Sequence, residues 1–381
     1  MTDARVRLFW HRAGPLAAFA AIAVVGAAEG CGGGGTTTTT SSSGSHTTSS
    51  HSASGTGGST TSTSSTMATT GGTGGMTTGT GGTGGGGPFQ GTISTSADAR
   101  TALDATPDPA GTTIYFTAVD ATTNAPGVYK APADGSATTP VAVAAGDPFA
   151  APIGIAMSTD GKTLYVADPG ATDTTSKKDL GVIFSVPVAG GTPAIVAGSE
   201  LLGARSLEVA VEGGADVLYF TGRDKTTGAA GVFKLAAAGG AATAVGATGV
   251  TWVDPSGIAV ADDGTVYVVD TTGSASATAV IVKIAGGAGT VLVPNLQVGY
   301  PAGVALSKDA KSLLVSALDP VKNTDVLLQF DVSNGMQSAS FSTGINTFTE
   351  SAGLHRAKHA DIYAWADSSA GMNNGRIFVV K

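Results

Sequence analysis

Residues 255–270, P-S-G-I-A-V-A-D-D-G-T-V-Y-V-V-D, are two short apolar runs joined by a D-D-G turn, the pattern of a tight β-hairpin. Close copies begin at Pro152 (P-I-G-I-A-M-S-T-D-G-K-T-L-Y-V-A-D) and Pro301 (P-A-G-V-A-L-S-K-D-A-K-S-L-L-V-S-A-L-D), with weaker ones near Arg100, Arg205 and Ser351. Anchored on Tyr115, Tyr165, Tyr219, Tyr267, Leu314 and Tyr363, the six copies recur about every 50 residues, a period in the range of propeller blades. Each hairpin is followed by a third run, such as G-V-F-K-L from Gly231, and in five copies by a fourth after a Gly-rich turn. The sixth copy stops at its third run, R-I-F-V-V from Arg376, while F-Q-G-T-I-S-T-S (residues 89–96) stands spare before the first hairpin. That segment is therefore predicted to supply the outer strand of the last blade and so remove an open edge. The expectation is an all-β, six-bladed β-propeller with four-stranded blades over residues 88–381, one domain without sustained helical periodicity.

The chain ahead of it reads differently. Arg5, Arg7 and Arg12 form a basic n-region before P-L-A-A-F-A-A-I-A-V-V-G-A-A, an apolar stretch too short to span a bilayer comfortably. The only cysteine, Cys31, follows A-E-G, and this stretch resembles the lipobox of bacterial lipoproteins, which implies a lipidated N-terminus at Cys31. Residues 1–31 are thus expected to be an export signal. Residues 32–87 are almost wholly Gly, Thr and Ser, which cannot bury enough surface to offset ordering entropy, so a disordered linker is expected there.

The repeat P-x-G-I-A-V-x-x-D-G-x-x-Y-V-x-D resembles the NHL repeat and the related six-bladed propellers of the gluconolactonase group, a resemblance covering residues 88–381. It implies the fold and leaves function open, since such propellers include lactonases and binding scaffolds. No E-G-P-x-W segment of the gluconolactonase kind is present, so that family's metal ligands have no counterparts here.

Against the repeat background, a few residues break the pattern. Counting back from the tyrosine positions, four copies carry glycine on the inner strand (Gly154, Gly257, Gly303, Gly353) where the others carry Asp104 and Glu208. Two residues on, small side chains give way to His355. Inner strands surround the channel, so two carboxylates and a histidine there are candidates for binding a divalent cation, calcium or zinc, or for acid–base work. In the alternative, Asp104 pairs with Arg100, Glu208 with Arg205 or water, and His355 fills space.

The aspartates ending each second run (Asp120, Asp168, Asp224, Asp270, Asp319, Asp367) suit turn capping. Long polar second-to-third connections share one rim with loops carrying Phe149, Trp252, Tyr300 and Phe348, which are candidate anchors for a protein or glycan partner or wedges between blades. A net charge of −8 and the brevity of the basic run R-A-K-H from Arg356 exclude a nucleic-acid binder. The reading is an exported, lipid-anchored, monomeric propeller of the cell envelope, at the outer membrane or cell surface, acting as a binding or scaffold module. The alternative is a metal-dependent lactonase-type hydrolase with its site in the channel.

Overall fold

Each D-G turn reverses the chain only where a residue takes up the left-handed backbone conformation: Gly161 has φ +71° and Gly264 φ +84°, and in the fifth copy Ala310 is held at φ +57° in the same role. From these hairpins the rest of each unit follows. The computed structural model describes residues 93–381 apart from 138, 174–175, 177, 273–277, 300–301, 320, 322–323, 343–350, 369 and 371–374. The signal, Cys31 and the linker lie outside the described residues, as do Tyr300 and Phe348.

The described strands form six antiparallel four-stranded sheets. β1 (Ile93–Asp98) comes first and is set aside by the chain for the end. Blade 1 is β2 (Asp104–Pro107), β3 (Thr113–Val119), β4 (Pro126–Pro132) and β5 (Val141–Ala145); blade 2 is β6 (Gly154–Met157), β7 (Thr163–Asp168), β8 (Val182–Pro187) and β9 (Ala194–Ile195). Blade 3 is β10 (Leu207–Glu212), β11 (Ala215–Arg223), β12 (Ala230–Ala236) and β13 (Thr243–Ala244); blade 4 is β14 (Pro255–Val260), β15 (Val266–Thr271), β16 (Thr278–Ala285) and β17 (Ala288–Gln297). Blade 5 is β18 (Val304–Leu306), β19 (Ser312–Asp319), β20 (Thr324–Asp331) and β21 (Gln337–Ser342), and blade 6 is β22 (Ser351–Arg356), β23 (Tyr363–Asp367) and β24 (Arg376–Val380). The fourth strand of blade 6 is β1, paired antiparallel to β24 from Ile93↔Val380 to Asp98↔Arg376, which is the closure expected from the unfinished sixth repeat.

Six apolar clusters hold the ring, one at each seam between neighbouring blades. Tyr115, Tyr165, Tyr219, Tyr267 and Leu314 all pack toward the following blade. Tyr363 packs toward the preceding one, and Ala364 holds the equivalent place in blade 6. Near the axis the inner strands approach so closely that a Cβ on Gly154 would stand 2.0 Å from the Arg205 carbonyl oxygen of the next blade. This is why glycine recurs there.

The blades also alternate. In blades 2, 4 and 6 the strand-end aspartates Asp168, Asp270 and Asp367 are buried, and Asp168 accepts bonds from the Ala150 and Ala151 amides while Asp270 accepts from Val253 and Asp254. Asp168 and Asp270 thereby tie the entering loop to its blade, while Asp367 accepts from the Ala370 amide. In blades 1 and 3 the aspartate stands two residues further on and caps its own turn, Asp120 through the Thr122 and Thr123 amides and Asp224 through those of Thr226 and Thr227. A buried hydroxyl, Thr117, Thr221 or Ser316, marks blades 1, 3 and 5 where the even blades have Ala167, Val269 and Ala366. The ring is thus three pairs of blades as well as six blades.

Candidate functional site

Strand pairing decides which inner-strand residues stand level. Thr106, Ala156, Ala259 and Ala305 each pair with the tyrosine position of their blade, and His355 pairs with Ala364, the equivalent point of blade 6. Glu208 pairs with Tyr219 and therefore belongs to this row, not to the row of Asp104. Ser206 is the residue level with Asp104, since its carbonyl accepts from the Thr221 amide as Asp104 pairs with Thr117. The expected alignment of Glu208 with Asp104 fails because the hairpin of blade 3 has longer arms and a two-residue Gly213-Gly214 turn, which shifts any count made back from Tyr219.

The three side chains nonetheless converge. His355 Nε2 lies 3.1 Å from Asp104 Oδ2 in the neighbouring blade, and His355 Nδ1 lies 3.2 Å from Glu208 Oε2 on the opposite side of the ring. Lys358, one turn position beyond, donates to Glu208 Oε1 at 2.5 Å and to the Val209 carbonyl at 2.6 Å. Asp104 is fully buried and also accepts from the amides of Ala105 and Ile155. Its carboxylate occupies the space a Cβ on Gly353 would need, with Oδ1 1.8 Å from that position, so glycine in blade 6 makes room for the acid of blade 1.

Burial is the largest single influence on His355 and favours the neutral ring, but the two carboxylates, Asp104 ahead of Glu208, outweigh it and push its pKa up to about 10. For Glu208, burial pulls upward and is outweighed by Lys358 and His355, which hold its pKa down at about 2. Asp104, His355, Glu208 and Lys358 thus form one hydrogen-bonded chain crossing the channel from blade 6 to blade 3.

Among the described residues no three His, Cys, Asp or Glu side chains are arranged around a metal position, and Asp104, Glu208 and His355 hydrogen-bond in a chain instead. Both ring nitrogens of His355 face carboxylate oxygens, and both Glu208 oxygens are engaged, by His355 and by Lys358. The alternative partners fail too: Arg205 bonds Asp254 at 2.5 Å, and Glu208 takes Lys358 instead. Lys358 is the member that sequence reasoning missed. Its one signal was the run R-A-K-H, set aside as too short for nucleic acid.

On the loop rim, Phe149 is 6% exposed and packs edge-on against Phe184 at 5.4 Å, so it is a wedge between blades 1 and 2 and not an anchor. Trp252 is half-buried against the seam of blades 3 and 4. Two contacts tie described rim residues of neighbouring blades together. Lys225 reaches from blade 3 to the Pro169 carbonyl at 2.7 Å and to Asp179 of blade 2, and Arg223 bonds the Val253 carbonyl and Asp254.

No protein-family model matches the chain, and no curated protein sequence matches it. Among solved structures, TolB from Acinetobacter baumannii is 12% identical over 64% of this chain with a TM-score of 0.47, and the match spans 54% of TolB, about half its length. XC5397 from Xanthomonas campestris, a gluconolactonase, is 17% identical over 77% of this chain and 90% of its own, with a TM-score of 0.53. The PQQ-bound aldose sugar dehydrogenase of Streptomyces coelicolor is 12% identical over 77% of this chain and 99% of its own, with a TM-score of 0.50. At such identities the likeness is one of fold alone: the chain is a six-bladed β-propeller similar in architecture to these gluconolactonase and aldose sugar dehydrogenase structures.

Proposed function

We propose that this chain is an exported cell-envelope propeller, lipid-anchored through Cys31 at the outer membrane or cell surface, and that it acts as a monomeric binding or scaffold module for a protein or glycan partner. The observation that carries the binding role is the saturation of the channel cluster. A hydrolase needs a base with a free lone pair, whereas His355, Glu208 and Asp104 spend theirs on one another and on Lys358. The described part of the loop rim on blades 2 to 4, by contrast, is polar and held in place by Asp168, Asp270, Lys225 and Arg223, so contact there costs little ordering entropy. The basic n-region and the lipobox-like stretch before Cys31 support export and anchoring.

Two measurements test this. Mass spectrometry of the mature N-terminus should find a diacylated or triacylated Cys31, and Cys31→Ser should release the protein from membranes; an unmodified chain starting elsewhere refutes the anchor. Photo-crosslinkers placed in cells at Thr123 and Thr227 on the loop rim should capture a discrete adduct, while the same probe at Asp160 and Asp263 on the opposite face should not. Turnover of a lactone or ester panel that depends on added calcium or zinc, without loop-rim adducts, overturns the binding reading in favour of a hydrolase.

A further inference from the structure

The hairpin turns of the six blades gather on the face opposite the loop rim, and there the channel opens into a pocket lined by Glu208, Ala259, Val260, Ala305, Leu306, Arg356 and Lys358. It is small, about 30 Å³, and open to solvent. Two cations and one anion line it, and the anion is spent: Glu208 Oε1 accepts from Lys358 and Oε2 faces His355.

Arg356 occupies the row that is apolar in every other blade, where pairing places Pro107, Met157, Val209, Val260 and Leu306. Its guanidinium is half-buried and bonds only neutral acceptors. Nε donates to the Leu306 carbonyl at 2.7 Å, and Nη1 donates to those of Ala357, Lys358 and Ala360 at 2.6, 3.3 and 3.3 Å. Among the described residues no carboxylate bonds it. The nearby acid on the same hairpin, Asp361, accepts instead from the Tyr363 hydroxyl and the Lys308 amide. Nη2 has no partner among the described residues, and Lys358 uses two of its three donors.

We propose that this turn-side mouth is a binding site for one small monovalent anion: a halide, or the carboxylate of an organic acid whose remainder lies in solvent. The Nη2 group of Arg356 and the third donor of Lys358 would hold it, and Ala259, Val260, Ala305 and Leu306 would wall it in. A small pocket with two cations and one engaged carboxylate suits a single negative charge. The site is independent of the export and partner reading, since it lies on the other face.

The test uses the full chain at constant ionic strength set with sodium MES, whose bulky sulfonate does not fit. Sodium formate and sodium chloride should each raise the melting midpoint saturably. Arg356→Leu, which installs the residue that blade 5 carries at this level, and Lys358→Met should weaken the response at least ten-fold, about 1.4 kcal/mol. Lys311→Met, an exposed lysine on the same face, should leave it unchanged. A bromide soak of crystals should place an anomalous peak between Arg356 and Lys358. The proposal fails if the wild type shows no saturable response, if both variants keep wild-type affinity, or if bromide avoids the pocket. Should Arg356→Leu not fold, Lys358→Met and the bromide map decide.

Discussion

Raising the pH from 7 to 9 should cost this propeller stability through a single group. His355 has its pKa raised from 6.5 to about 10 in the folded state, so folding stabilises its proton. A raised pKa means that the contribution is complete below pH 6.5 and fades as pH climbs toward 10. At about 1.4 kcal/mol per unit, a rise from 6.5 to about 10 sets a ceiling of about 5 kcal/mol, of which roughly half is lost between pH 7 and 9. The side chain is only 4% exposed, so solvent screening removes little of this. Few other groups interfere in that window. Asp168, raised to about 6 by burial, has finished titrating, and the tyrosines with raised pKa values have not begun. Urea denaturation of the full chain at pH 7, 8 and 9 should show the fall, and His355→Gln should flatten it. Asp104→Asn should flatten it more than Glu208→Gln, because Asp104 is the stronger of the two carboxylate influences on the ring. Equal slopes in wild type and His355→Gln, or a fall below about 0.5 kcal/mol in the wild type, would refute the assignment of His355 as an imidazolium held by two carboxylates.

Three further outcomes are expected. Deleting residues 88–98 removes β1 and bares the edge of β24, so the melting midpoint should fall and aggregation rise; an unchanged, monomeric product would contradict strand closure. Ala310→Gly relieves a left-handed alanine on an exposed turn and should stabilise by about 0.5–1 kcal/mol in urea melts, whereas Gly264→Ala should destabilise by a similar amount. Asp168→Ala strands the buried amides of Ala151 and Gly170 and loosens that of Ala150, for a loss of about 2–4 kcal/mol and faster hydrogen exchange in the loop at residues 149–151.

The hairpin pattern carried the ring because alternating apolar runs and D-G turns are local signals, and an unfinished sixth unit facing a spare N-terminal strand leaves one way to close. Registers were less legible. The repeat was anchored on an aromatic, yet Tyr363 faces the opposite seam from Tyr165 and Tyr267, and the extended arms of blade 3 moved Glu208 by a row. The alternation of blades was hidden for the same reason: all six units end their second strand in aspartate, and only pairing shows that Asp120 and Asp224 stand two residues beyond the level of Asp168 and Asp270. Asp104, Glu208 and His355 stood out by composition, but what they do together depended on Lys358, whose side chain crosses the mouth of the channel from a turn that sequence alone treats as surface.

The pairing of Ile93 with Val380 also fixes the face on which the chain enters the ring. Third strands run from the loop rim toward the hairpin turns, so Val380 ends on the turn face and Ile93 begins beside it. Any segment preceding Ile93 therefore departs from the turn side of blade 6. The chain thus joins the ring on the face that carries the Arg356 and Lys358 mouth, opposite the Asp120 and Asp224 turns. The same adjacency makes the ring a candidate for circular permutation: a short peptide joining the two ends, with new termini opened in the Asp224 turn, keeps every sheet intact and moves the point of attachment to the opposite face. In a permutant of that kind the chain would enter on the loop rim, leaving the basic mouth on the face away from both ends.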